Sequence, residues 1–144
     1  MSIVTINTSE QLKDAFSIRK AVFIDEQHVP EAEEFDEFDQ LDGSCDHILV
    51  YYDRQPVGTG RVRMIGDVGK LERICILEPY RKFGLGKGII AALEELAKRR
   101  QATSVKLHGQ TQAEGFYHKL GYETISEPFI EADIPHVCMT KSFI

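Results

Sequence analysis

The 144-residue chain has no tryptophan, only three cysteines and five prolines, and no long apolar run. Each shortage excludes a class of function. Cys45, Cys75 and Cys138 are odd in number, far apart and without Cys-x-x-Cys spacing. Neither a disulfide framework nor a zinc site is indicated, and no metal is expected. No stretch approaches the roughly eighteen apolar residues of a membrane span, and Met1-Ser2-Ile3-Val4-Thr5 lacks the basic and apolar regions of a secretory leader. The expectation is a cytoplasmic protein with reduced thiols and no membrane partner. Basic charge is also scarce. A formal net charge of -6 opposes nucleic-acid binding, which relies on cationic side chains neutralising phosphates. A small cationic partner suits the chain better. An apolar content of 42% over this length suffices for one core but not two, so residues 1–144 read as a single domain.

What is present is an alternation of strand and helix patterns. Ile3 to Asn7 alternates as a first strand, and Thr8-Ser9 caps a helix carrying Leu12, Ala15, Phe16, Val22 and Phe23 at helical spacing. From His28 to Gly43 the chain is acidic, with phenylalanines and Leu41 interleaved, and reads as loop or short helix. Three β-prone runs follow, His47 to Tyr52, Val57 to Ile65 and Lys70 to Leu77, separated by turn residues and predicting an antiparallel meander. Leu85, Ile89, Ala92, Leu93 and Leu96 recur as one buried stripe of a helix that ends in Lys98-Arg99-Arg100. A short strand over 104–107, a helix over 112–120 closed by Gly121, and two strands near 122–129 and 136–143 complete a mixed α/β order.

The segment with chemical content is Leu71 to Gly88. A strand leads into Arg81-Lys82-Phe83-Gly84-Leu85-Gly86-Lys87-Gly88 and then a helix. Glycines let backbone N–H groups approach a ligand, and the first turn of a helix presents unpaired N–H groups with partial positive charge, so the loop suits phosphate. Arg81, Lys82 and Lys87 add cationic charge. Two familiar phosphate loops do not fit. A Walker loop needs glycine at 81 and serine or threonine at 88, where Arg81 and Gly88 stand; the dinucleotide fingerprint needs a small residue at 89, where Ile89 stands. A plain tight strand-to-helix connection is the remaining reading on spacing alone.

Arg81-x-x-Gly84-x-Gly86 resembles the coenzyme A pyrophosphate loop of the GNAT superfamily. Downstream, the run from Gln110 through Ala113, Phe116-Tyr117 and Lys119-Leu120-Gly121-Tyr122 is similar to that family's second motif, with Gln110 where asparagine is usual. Arg19-x-x-Val22-Phe23-x-x-Glu26-Gln27, Asp39, Asp42, His47-Ile48 and Asp133-Ile134-Pro135-His136-x-x-Met139 resemble the ElaA/YjcF-type subgroup, so the likeness covers nearly the whole chain. The resemblance implies the acyl-CoA acyltransferase fold of that superfamily. This is a largely antiparallel mixed sheet of six to seven strands flanked by helices and splayed between strands four and five, where pantetheine inserts. It also implies acetyl-CoA as acyl donor, with Ile74, Cys75 and Ile76 along pantetheine. Arg81, Lys82, Phe83, Gly84, Leu85, Gly86 and Lys87 would surround the pyrophosphate, and Gln110 and Phe116 would complete the site. The acceptor is then a primary amine of a small molecule or peptide.

Acetyl transfer to an amine needs a neutral nucleophile, a polarised carbonyl and a proton for the departing thiolate. An alkyl amine of pKa near 10.4 is neutral in roughly one molecule in a few thousand at pH 7, a cost of about 4.6 kcal/mol, so a base must act. Glu72 occupies a position that serves as base in some members of the family; the competing reading pairs it with Arg61, Arg63 or Arg73. His47, His108 and Asp39 are reserve bases. Tyr117 matches the tyrosine that protonates the thiolate, against the alternative that it and Phe116 are two core aromatics. Adjacent residues point in different directions, so Phe116 can be core while Tyr117 faces the cleft. The acidic stretch from Glu31 to Asp42 reads either as a rim attracting a cationic amine or as a solvated loop, and His136 as part of an acceptor pocket or the start of the last strand. Cys75, mid-strand without a histidine partner, is not read as a nucleophile. A coenzyme A sensor without catalysis and an enzyme using a longer acyl thioester are the rival functions, and monomer and homodimer are both open.

Overall fold

The computed structural model describes residues 1–144. Strands β1 (Ser2–Thr5), β2 (Asp46–Tyr52), β3 (Gln55–Ile65) and β4 (Val68–Ile76) pair antiparallel in sequence order. Helix α3 (Leu85–Arg99) then carries the chain across the sheet, so that β5 (Ser104–Gln110) pairs parallel to β4. The longest strand of the C-terminal half, β8 (Ile134–Ser142), lies antiparallel to β5 and also receives β6 (Glu123–Thr124) and β7 (Phe129–Glu131). The sheet thus has eight strands, not six or seven. The difference lies at 122–129, expected as one strand: Pro128 has no N–H for a ladder, so the run breaks into two short strands.

Two cores sit on the two faces. On one, Leu85, Ile89, Ile90, Leu93 and Ala97 of α3 bury themselves against Val62, Leu71, Val105, Leu107 and Met139. Close approach is required there, since a β-carbon at Gly69 would lie 2.8 Å from that of Ala97. On the other, Leu12, Ala15 and Ile18 of α1 (Ser9–Arg19) pack with Ile6, Leu49 and Cys75. Thr8 caps α1 by accepting from the Gln11 N–H. The helix runs on as a π-helical turn over Lys20–Glu26, which turns Val22, Phe23 and then Gln27 toward the middle of the sheet. The helix expected over 112–120 is shorter, a 3₁₀ turn over Thr111–Ala113 followed by α4 (Glu114–Lys119).

The acidic stretch is not wholly a solvated loop, and its Glu33 and Glu34 line the cavity that opens between β4 and β5. It folds as α2 (Glu31–Glu34) plus turns, and three of its carboxylates point inward at buried arginines. Arg19, 1% exposed, bonds Glu34 through Nε at 2.8 Å and Asp39 through both terminal nitrogens. Arg61, also 1% exposed, binds Asp36 at 2.7 and 2.8 Å and Asp39 at 2.9 Å. Both guanidinium groups also lie over aromatic rings, Arg19 over Phe35 and Arg61 over Phe38. The interleaved phenylalanines therefore roof the ion pairs, and the segment is clamped onto the α1 face of the sheet.

Candidate functional site

The parallel ladder between β4 and β5 stops at Leu71 and Leu107. Beyond it Glu72–Ile76 and His108–Gln110 part, and a cavity of about 670 Å³ opens between them. A bulge accompanies the parting. Arg61 faces Glu72 and Thr59 faces Cys75, so Gly60 alone opposes both Arg73 and Ile74. Arg73 takes φ 59°, a left-handed conformation that costs a side-chain-bearing residue about 1–3 kcal/mol. The extra residue reverses the alternation of the strand. Leu71, Ile74 and Ile76 pack with the α3 core, whereas Glu72 and Cys75 turn toward α1.

At the mouth of the cavity, a 3₁₀ turn over Glu78–Phe83 ends at Gly84, whose φ of 69° makes it the N-cap of α3. Glycine offers no capping side chain, and no other side chain caps the helix. The first-turn N–H groups from Leu85 to Gly88 are thus left for a ligand, with the positive end of the helix dipole behind them. Gly86 lies close under Phe116: a β-carbon there would stand 3.1 Å from the tip of that ring. Phe116 is 40% exposed and lies over this loop rather than in the core. Arg81 forms a two-pronged pair with Glu26 at 2.7 Å and donates through Nε to the Ile76 carbonyl at 2.9 Å. Its guanidinium braces the loop against the π-helical turn that follows α1. Lys82 sits over the ring of Phe83, which stacks on Tyr52 at 4.3 Å.

Tyr117 lies on the α3 face of β5, its ring against Gly109, where a β-carbon would come within 3.1 Å. Its ring meets Phe116 and Tyr122 edge-on, and it lines the cavity. Its hydroxyl has no protein partner, while neighbouring Tyr122 donates to Glu94 at 2.8 Å. Burial pushes the Tyr117 phenol up to about 12, so it remains protonated across the neutral range. Gln110 also reaches the cavity, where its amide donates to Gln27 at 2.9 Å and ties β5 to the end of the π-helical turn that follows α1.

The four carboxylate and imidazole candidates separate sharply. Glu72 lines the cavity, yet Arg61, Arg63 and Lys70 surround it at 3.0 to 3.2 Å. Burial alone would raise its pKa, but those charges, Arg61 foremost, outweigh it and hold the carboxyl below the usual range. The ion-pair reading of Glu72 is the one its surroundings favour, with Lys70 in place of Arg73. Asp39 is held below the carboxylate range by Arg19 and Arg61 against the effect of burial, and it lies outside the cavity. His47 is 3% exposed, bonds the Phe38 carbonyl at 3.0 Å and is pushed down by burial; it also lies outside. His108 lines the cavity and meets Glu131 through Nδ1 at 3.0 Å. Glu131 was not singled out from the sequence, because the two-residue turn Ala132-Asp133 of the β7–β8 hairpin that presents it lacks the glycine or asparagine that marks such turns. His136 lines the same wall and donates through Nδ1 to the Ile134 carbonyl at 2.7 Å. Cys75 is buried and its thiol pushed far up by desolvation, which leaves it inert as a nucleophile.

This parted sheet with a glycine-capped helix at its mouth has counterparts. Residues 5–143 match the family model described as Acetyltransferase (GNAT) domain. The uncharacterised protein YyaT of Bacillus subtilis is 62% identical over 98% of this chain and 95% of its own length. The uncharacterised N-acetyltransferase YjcF of the same organism is 48% identical over 98% and 99%. Among solved structures, ElaA of Escherichia coli superposes with a TM-score of 0.87 at 24% identity, over 98% of this chain and 99% of that one. An aminoglycoside 6'-N-acetyltransferase complexed with coenzyme A shares the fold, with a TM-score of 0.80 at 15% identity over 100% and 98% of the two chains. The chain belongs to the GNAT acetyltransferase family and is an acyltransferase of the kind that draws its acyl group from a coenzyme A thioester.

Proposed function

We propose that residues 1–144 form one cytoplasmic N-acetyltransferase domain that moves the acetyl group of acetyl-CoA to a primary amine by direct attack in a ternary complex. The observation that carries this reading is one cleft lined by the unpaired β4 edge, Arg81 and Tyr117, with the uncapped start of α3 joined to it through Phe116, which touches both Gly86 and Tyr117. The donor fits these residues. Main-chain N–H groups of Gly84 to Lys87 would hold its pyrophosphate, with Lys82 and Lys87 adding charge, and Phe83 and Phe116 would flank it. The backbone of Ile74 to Ile76 would run beside pantetheine as a neighbouring strand does, with Gln110 across the cleft. When bound, the donor supplies an acyl group activated as a thioester.

The chain's own residues then divide the work. The bulged edge from Arg73 to Ile74 carries fixed amide dipoles that can stabilise charge developing on the carbonyl oxygen. Tyr117 donates a proton to sulfur as the carbon–sulfur bond breaks. A free thiol near pKa 8.5 would make that transfer uphill, but the desolvation that raises the phenol raises a thiol in the same cleft too. Direct attack is supported because the buried cysteines are unsuited to an acyl-enzyme: desolvation pushes Cys45 up to about 12, and Cys75 further.

A panel of polyamines, aminosugars, amino acids and peptides, assayed by thiol release, tests the reading. Turnover of at least one amine with acetyl-CoA is expected, and faster than with longer acyl thioesters. Binding of acetyl-CoA with no transfer across the panel would instead mark a sensor. Tyr117→Phe should lower kcat by about 10²-fold while coenzyme A affinity stays within about twofold; a large loss of affinity would reassign Tyr117 to binding.

A further inference from the structure

We propose that His108 is the residue that takes the proton from the acceptor amine, with Glu131 as the positioning residue that fixes its tautomer. This rests on the acyl-transfer reading above and names the acceptor's side of the site. The carboxylate of Glu131, an acceptor only, meets His108 Nδ1 at 3.0 Å. The ring hydrogen therefore sits on Nδ1, and the lone pair on Nε2 is free for a proton.

The surroundings fix this arrangement. Phe129 meets the His108 ring edge-on at 5.1 Å and stacks on His136 at 6.1 Å. His136 Nε2 approaches the second oxygen of Glu131 at 3.7 Å. Glu131 is the last residue of β7, and the turn behind it holds Ala132 and Asp133 at φ 51° and 61°. That is the twist a two-residue hairpin needs, but neither residue is glycine, so the turn carries a local cost that the surrounding structure sustains.

Strand alternation puts acid and base on opposite faces. Val105, Leu107 and Gly109 of β5 face α3 and Tyr117, so His108 projects from the α1 face, beside Gln110 with its bond to Gln27. An acyl group held in the parting is then approached by the amine from the α1 side, while Tyr117 serves the sulfur from the α3 side. His108 Nε2 takes a proton from the ammonium and passes it to water. The freed nitrogen pair forms the bond to carbon, and the nitrogen's second excess proton leaves by the same route. The carbon–sulfur pair goes to sulfur, which takes the Tyr117 proton, and the tyrosine is reprotonated from water. Ammonium and thioester thus become amide, thiol and one proton.

Two measurements on the full chain test the proposal. Long-range ¹H–¹⁵N imidazole spectra should show neutral His108 protonated on Nδ1, and Glu131→Ala should abolish that preference. A His108 protonated on Nε2, or one indifferent to Glu131→Ala, overturns the assignment whatever the acceptor. With the most active amine of the panel, His108→Gln should lower kcat about 10²-fold or more, with coenzyme A affinity within about twofold, which also reports a folded variant. Added imidazole should restore part of the rate of His108→Ala. A kcat within about threefold of the parent removes the base role alone. Silence of the parent enzyme on every amine removes the acyl-transfer reading and the base role with it.

Discussion

Two polar segments flank the same sheet, and they treat their charges in opposite ways. In the acidic segment, Glu34, Asp36 and Asp39 are spent on Arg19 and Arg61, side chain against side chain. In the glycine loop, the one guanidinium is braced by Glu26 and the helix mouth behind it has no cap. Satisfied charge marks architecture, and unsatisfied dipoles mark a place for a ligand. A charge run in a sequence does not distinguish the two, because what decides is whether a counter-charge from a distant strand reaches it. Here Arg61 reaches Asp36 across 25 positions.

The contrast predicts stability effects on one side and binding effects on the other. Arg61→Met removes the buried guanidinium that Asp36, Asp39 and Glu72 share, and should destabilise the fold by about 3–5 kcal/mol in urea unfolding. A loss below about 1 kcal/mol would mean that the clamp is not structural. Gly86→Ala should do the reverse. The exposed Phe116 ring can shift by a few tenths of an ångström, so stability should change little, but coenzyme A should bind about tenfold or more weakly by calorimetry.

Acid probes the clamp more gently. Burial pushes Asp36 upward, but the Arg61 guanidinium outweighs it and holds the carboxyl near about 2; Asp39 is likewise depressed. Depressed carboxylates stabilise the fold fully above their unfolded value near 3.9, and this contribution fades as pH falls toward 2. Asp36 is 28% exposed, so screening leaves its share on the order of 1 kcal/mol. Urea midpoints at pH 5 and pH 3 should differ accordingly in the parent and differ less in Asp36→Asn. The smallest effect belongs to the exposed Glu26–Arg81 pair: Glu26→Gln should change stability by less than about 0.5 kcal/mol.

Much of the fold was legible in the sequence because its signals are local. The α3 stripe, the meander over 46–76 and the glycine loop depend on periodicity and turn chemistry that neighbouring residues supply. The site was legible where backbone does the binding, as at Gly84 and Gly86. It was less so where side chains meet across the sheet. Glu72 reads as a candidate base until Arg61, Arg63 and Lys70 are seen around it, and the bulge at Arg73 that sets its face has no mark in the sequence. His108 is a lone histidine in the sequence and gains its meaning only from Glu131, 23 positions away.

The central claim is that the mouth of α3 holds a diphosphate through main-chain amides. A crystal structure of the chain with coenzyme A tests it most directly. Pyrophosphate oxygens should lie within about 3.2 Å of N–H groups between Gly84 and Gly88, with pantetheine threading between β4 and β5. Coenzyme A bound elsewhere, with that turn empty and the parting closed, would contradict the account.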